Sequence, residues 1–223
     1  MNRSTGGDAA VVVLALVALF ACHSRGAHAQ KARAAGPTPV VTAARVARPE
    51  GALSGPLYVT VGGRERKVAD GAVEAWVIQG GRGVAYSGRD GAGGFENEGQ
   101  SLRVYDAATG RSRKVMSAYY MIEKVTEATT SSDKTALLVS MADGGLGASY
   151  FAVVDPARGE LFFRRWARLV SRRGDVISIG HYRVADWDKL NESENAKVTP
   201  YKVERQNLNT VLRGRVITNK PSR

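Results

Sequence analysis

The stretch SLRVYDAATGRSRKV, Ser101 to Val115, reads as a β-hairpin. Leu102, Val104 and Tyr105 belong to one strand, Asp106 to Gly110 turn the chain, and Arg111 to Val115 return. Asp suits the turn because its carboxylate accepts from backbone N–H groups one or two residues on. Gly suits the exit because it takes a positive φ without a Cβ clash. The same device recurs at YFAVVDPARGELFF, Tyr150 to Phe163, with Asp155 and Gly159 in the matching places. A related return strand, Arg64-Glu65-Arg66-Lys67-Val68, shares its Arg-x-Arg-Lys-Val pattern with Arg111 to Val115 and follows Leu57 to Val61 across Gly62-Gly63.

The strands before these hairpins correspond too. Val84-Ala85-Tyr86-Ser87 precedes one and Leu137-Leu138-Val139-Ser140 the other, each after a turn-rich stretch. A period of about fifty residues with about four short strands is the signature of propeller blades. The physical reason is burial. One four-stranded sheet cannot cover both of its faces, so successive sheets stack. The predicted fold is therefore all-β, a propeller-like stack of about three to four four-stranded blades. The alternative is an open, twisted two-sheet β-sandwich.

The motif order carries a resemblance. Ser131-Ser132-Asp133-Lys134, an apolar strand, a loop, and Tyr150-Phe151-Ala152-Val153-Val154-Asp155 resemble the blades of bacterial TolB-like and YVTN-type β-propellers. Asp106-Ala107-Ala108-Thr109-Gly110 matches the second half of that blade, and Ser132-Asp133-Lys134 matches the first half without its glycine. The similarity runs from Leu57 to about Phe163. It implies a propeller whose relatives mostly bind proteins or other ligands, with some enzymes among them. Fold analogy does not choose between these functions.

The amino terminus reads as a targeting segment. Ala9 to Ala21 is apolar, with Arg3 upstream. At about 13 residues it is short of the about 20 that span a bilayer. Ala27-His28-Ala29 offers a cleavage site, so residues 1–29 read as a signal peptide and the protein as exported, periplasmic or extracellular. A second reading competes: Leu19-Phe20-Ala21-Cys22 resembles a lipobox, which would make Cys22 the acylated end of a membrane-anchored lipoprotein. An uncleaved anchor is the third. Cys22 is the chain's single cysteine, so the body has no intrachain disulfide under any of the three. Residues 30–56 read as a flexible tether, within which Val40-Val41-Thr42 has strand character; 57–212 is the β domain and 213–223 a basic tail. Within that domain, Ala185 to Leu190 reads as a helical turn, and Tyr201 to Glu204 and Val211-Leu212 as the last strands.

Lys and Arg number 32 against 21 Asp and Glu, giving a net charge of +11. A basic surface favours anionic partners. Arg164, Arg165, Trp166 and Arg168 interleave guanidinium groups with an indole, a combination that suits polyanions or an interface hot spot. The bland alternative is a strand edge protected by charge. For an exported protein the matching partner is another protein or an anionic envelope component such as a lipid headgroup or lipopolysaccharide, in preference to nucleic acid. The glycine-rich loops after Gly88 and Ala142 carry Asp90, Glu96, Asn97, Glu98 and Asp143. Such loop tips are candidate contacts for a ligand or partner, through Asp90, Glu96, Glu98 and Asp143; the oxygens of Asp90, Glu96, Asn97 and Glu98 would suit Ca²⁺, though the spacing matches no calcium-loop template, and neither loop is a phosphate loop. No cofactor is expected.

His181 is the one histidine beyond the signal segment, at the end of an apolar strand with Asp186 and Asp188 following. A Ser-His-Asp arrangement is conceivable on it, but no Gly-x-Ser-x-Gly elbow accompanies it. The expected function is a non-enzymatic binding domain of the envelope. Its rivals are a hydrolase or lyase on the same scaffold using His181, and a structural envelope lipoprotein held by Cys22.

Overall fold

A computed structural model describes residues 38–89, 99–118, 121–142, 148–192 and 198–217. Residues 1–37 with Cys22, the loop residues Asp90, Glu96, Asn97, Glu98 and Asp143, and the last part of the basic tail lie outside the described residues. The organising hairpin forms from β5 (Gln100–Asp106) and β6 (Arg111–Ser117). Asp106 accepts from the Thr109 backbone N–H at 2.7 Å and from its hydroxyl at 3.0 Å. These bonds hold the Asp106 carboxyl below the usual carboxylate range. The second copy is β9 (Ser149–Asp155) and β10 (Gly159–Arg165), where Asp155 accepts from the N–H groups of Ala157 and Arg158 at 2.7 and 3.1 Å. In both hairpins the Asp carboxylate accepts from the N–H three residues on, while the closing pairs differ, Asp106 with Arg111 and Asp155 with Gly159.

The remaining strands are β1 (Val41–Val46), β2 (Gly55–Val61), β3 (Arg64–Ile78), β4 (Gly83–Arg89), β7 (Met121–Thr129), β8 (Thr135–Ala142), β11 (Ala167–Arg173), β12 (Val176–His181) and β13 (Lys202–Asn207). They form three antiparallel sheets, in the orders β1-β2-β3-β4-β5-β6, β10-β9-β8-β7 and β11-β12-β13. Among the described residues no strand of the last sheet pairs with the first, so the sheets do not close into a ring.

Burial explains the stacking. β8 reads TALLVSMA, apolar on both faces. Leu137, Val139 and Met141 join a core with Ile78, Leu102, Val104 and Met116 of the first sheet. Ala136 and Leu138 point the other way, into a core with Ile177 and Ile179 of the third sheet. Phe151 and Val153 of β9 join that second core, while Tyr150, Ala152 and Val154 serve the first. β8 and β9 are buried on both sides, which is why these two strands lack polar alternation. A third core gathers Leu57, Val59 and Val61 with Val84, Tyr86 and Tyr105 on the far face of the first sheet.

Four expectations need correction. The half unit at 57–68 is no separate blade: β3 is 15 residues long and bonds β2 with its first part and β4 with its last, so one sheet has six strands. Its register slips between Ala72 and Ala75, where the Glu74 N–H turns to the buried Ser87 hydroxyl at 3.1 Å. Within the tether at 30–56 the strand character read at Val40–Thr42 extends to a full strand, β1, which pairs with β2 and buries Val41, so this part is no tether. Val211 is helical rather than extended, in α2 (Leu208–Val211). The Asn207 side chain caps that helix by accepting from Asn209 and Thr210, and the helix buries Leu208 and Val211. The start of the basic tail is docked: Arg158 donates to the carbonyls of Leu212 and Gly214, and the Ile217 N–H reaches the Glu160 carbonyl at 2.8 Å.

The helical turn expected at 185–190 is present, as a 3-10 turn at Val184–Asp186 leading into α1 (Trp187–Glu192). Two turns show how the backbone satisfies the hairpin rule. Gly62 and Gly63 both take positive φ, 57° and 74°, the geometry of a two-residue hairpin loop. In the β7–β8 turn, Asp133 itself takes φ 55°, which Asp tolerates, so the glycine missing from Ser132-Asp133-Lys134 is not needed.

Candidate functional site: an arginine and aromatic cleft

The chain leaves β10 and enters β11 through a single residue, Trp166, whose φ is +53°. For a bulky side chain this left-handed backbone costs on the order of 1–3 kcal/mol and persists only where surrounding contacts hold it. Trp166 is held on three sides. Its ring lies 6.3 Å from Tyr150 and 6.1 Å from Trp187, and its carbonyl accepts from the Tyr182 N–H at 3.1 Å. Tyr182 meets Trp187 edge-on at 5.5 Å. Trp187 is 1% exposed, and its indole N–H has no acceptor among the described residues. A buried unpaired donor costs about 1–3 kcal/mol, so two unfavourable features lie side by side.

They underlie one concavity. A cleft of about 610 Å³ is lined by Arg165, Trp166, Tyr182, Arg183, Val184 and Tyr201. Its volume falls within the about 300–1,000 Å³ typical of small-molecule sites. Val184 and Tyr201 are 67% and 60% exposed, an unusual amount of free apolar surface beside two guanidinium groups. No carboxylate stands among the described residues that line it.

Beside the cleft, Glu204 of β13 is saturated. Arg164 grips it with two bonds, of 2.8 and 2.7 Å, and the Gln206 amide adds a third at 2.6 Å. His181 Nε2 lies 3.0 Å from the same carboxylate. The Arg164 guanidinium, helped by Gln206 and His181 and opposed by burial, holds Glu204 at about 2. This cluster joins the edge of the second sheet to the edge of the third. Arg164 also lies 4.0 Å over the Phe162 ring.

The Arg and Trp run therefore divides. Arg165 and Trp166 line the cleft, whereas Arg164 is spent on Glu204. Arg168 bonds the Ser149 hydroxyl at 2.9 Å and lies 5.1 Å over Trp187, so it braces the cleft floor. The acid beside His181 is Glu204, 23 positions on and on the neighbouring strand, rather than Asp186. Tyr182, Arg183, Val184, Tyr201 and Glu204 were not singled out from the sequence. The available signal was an aromatic next to Arg immediately after a strand, Tyr182-Arg183. Among the described residues no group of three or more His, Cys, Asp or Glu is placed to hold a metal ion. The oxygens expected to suit Ca²⁺, on Asp90, Glu96, Asn97 and Glu98, and the loop residue Asp143 lie outside them.

No family model matches the chain, and no curated protein or solved structure matches it.

Proposed function

We propose that this is an exported binding domain without chemistry of its own, whose ligand is an anionic envelope component or an acidic surface of a partner protein. The observation that carries the reading is Trp166, held in a costly backbone conformation at the wall of an open cleft with Arg165, Arg183 and Tyr201. Strain of this kind clusters where a side chain must be presented to a ligand. Two arginines line the cleft, and guanidinium groups favour an anionic ligand. Glu204 supports binding over catalysis. With Arg164 and Gln206 bonded to it, it serves as the neutralised half of an ion pair, a poor orienter for a histidine base.

The fold reading that accompanies this is an open run of propeller-like blades related to the TolB-like and YVTN-type repeats. What supports it is the pairing of equivalents. β4, β5 and β6 follow one another as β8, β9 and β10 do, with Asp106 and Asp155 each accepting from the N–H three residues on.

The test is a titration of the full chain with vesicles of phosphatidylglycerol and with soluble acidic polysaccharides, read by tryptophan fluorescence. Binding is expected to weaken at least tenfold in an Arg183→Ala/Tyr201→Ala double variant. Binding that ignores the double substitution would remove the cleft from the account. Turnover of ester or glycoside substrates that disappears in His181→Ala would sink the binding-only reading.

A further inference from the structure

A second concavity lies at the far end of β13 from the cleft. Tyr201, which lines the cleft, precedes that strand, whereas Asn207 closes it and lines this second space. The space has about 500 Å³ and is lined by Ser132, Lys134, Asn207, Asn209, Thr210 and Arg213, none of them a cleft residue. Three segments meet there: the turn between β7 and β8, the end of β13 with α2, and the chain just after α2.

Hydrogen bonds fix this wall. Asp175, just ahead of β12, accepts from the Ser131 N–H at 2.9 Å and from the Asn209 amide at 2.7 Å. The Ser132 hydroxyl donates to the Asn209 side-chain oxygen, and the Thr130 hydroxyl accepts from the Lys134 N–H at 3.2 Å. The N–H groups of Leu208, Asn209 and Thr210 are used too, by the Asp175 carbonyl at 2.8 Å and by the Asn207 side-chain oxygen at 2.9 and 3.3 Å. Side chains supply the donors that are left. Among the described residues the Lys134 ammonium and the Arg213 guanidinium make no hydrogen bond or ion pair. Asn207 keeps its NH₂ and Thr210 its hydroxyl. Asp133 stands between Ser132 and Lys134 in the chain without lining the space, and the Asp175 oxygens are taken by Ser131 and Asn209.

Two cations with an amide and a hydroxyl suit an anion that has more than one charge and more than two oxygens. A phosphate monoester has three terminal oxygens and about −1.5 to −2 charge at pH 7. An arginine fork meets two such oxygens side by side, and a lysine meets the group as a point charge. A single carboxylate pairs with either cation, but its one charge and two oxygens leave part of the set unused. The described lining has no ring and no long aliphatic side chain apart from the stems of its two cations, which suits a hydroxylated body beside the phosphate. We propose that this space binds a phosphorylated sugar or polyol through its phosphate monoester, held by Lys134 and Arg213. The site is independent of the cleft and of the ligand proposed for it.

The full chain would be titrated calorimetrically with glucose 6-phosphate, glucuronate and glucose, which share a ring and carry a phosphate, a carboxylate and no anion. Glucose 6-phosphate is expected to bind, glucuronate at least tenfold more weakly, and glucose not at all. Lys134→Ala and Arg213→Ala should each weaken glucose 6-phosphate at least fivefold. Both residues are exposed, so the melting temperature should stay unchanged. Arg66→Ala, which removes the same charge from the exposed start of β3, should leave the affinity as it is, and so should the Arg183→Ala/Tyr201→Ala cleft variant. Glucuronate binding as tightly as glucose 6-phosphate would overturn the ligand class. Equal losses from Arg66→Ala and Lys134→Ala would reduce the effect to net charge and overturn the site. Loss in the cleft variant alone would move the phosphate to the cleft. No binding of glucose 6-phosphate would sink the proposal and leave the cleft to its own vesicle titration.

Discussion

Replacing Glu204 by Gln tests the link between the second and third sheets. The wild-type carboxylate is held at about 2 against an ordinary value of 4.5, chiefly by the two bonds from Arg164. A gap of that size corresponds to about 3 kcal/mol. Arg164 is 37% exposed on its side chain, so solvent screening lowers the working figure to about 1–2 kcal/mol. Because the folded-state value is depressed, this stability is fully present above about pH 4.5 and is lost as the pH falls toward about 2. Glutamine stays neutral throughout and leaves the Arg164 fork half satisfied. Glu204→Gln should therefore lower the melting temperature at pH 7 by several degrees, at about 2–4 °C per kcal/mol for a domain of this size. The gap between wild type and variant should shrink steadily between pH 5 and pH 2.5. The assay is thermal unfolding of both proteins by circular dichroism across that range. A gap that stays constant with pH, or no gap at pH 7, would refute the assignment of Glu204 as the charged tie between sheets.

Phe151 is fully buried in the core between the second and third sheets, so Phe151→Ala should cost about 3–5 kcal/mol, seen as a lower urea midpoint. Gly81 has φ +86°, and a Cβ there would come 2.5 Å from Val40 Cγ1 and 2.6 Å from the Val41 carbonyl oxygen. Gly81→Ala should therefore loosen β1, and hydrogen exchange at Val41–Val46 should rise while β7–β10 keep their protection. Equal loss of protection in both regions would contradict a local effect. Asp106→Ala removes two turn bonds to Thr109 and should cost about 1 kcal/mol in a denaturant titration, with the slope unchanged.

Much of the fold was legible because strand and turn signals are local. Asp106 to Gly110 and Asp155 to Gly159 announced hairpins through residue types that act within a few positions. The apolar runs at Leu137–Ser140 and Tyr150–Val154 announced strands, and their burial on both faces came from the sheets stacked on either side. The six-stranded first sheet was not legible, since nothing in Arg64–Ile78 says that its two halves bond different neighbours. The helical turn at Leu208–Val211 was hidden because four residues are too few to show a helical period, and the Asn207 cap decides the matter. At the site, Arg165 and Trp166 were visible as a basic aromatic run, but Tyr201 reaches the same cleft from 35 positions away.

The sequence by itself determined the all-β class, the hairpin positions and the basic character, because these depend on side-chain periodicity, turn residues and charge count. Tertiary structure alone decided which arginine ties two sheets together and which lines the cleft. Arg164 and Arg165 are neighbours in the chain, yet successive strand side chains face opposite ways. One meets Glu204 on β13 and the other lines the cleft. Pairing between strands far apart in sequence sets that difference, and no local signal encodes it.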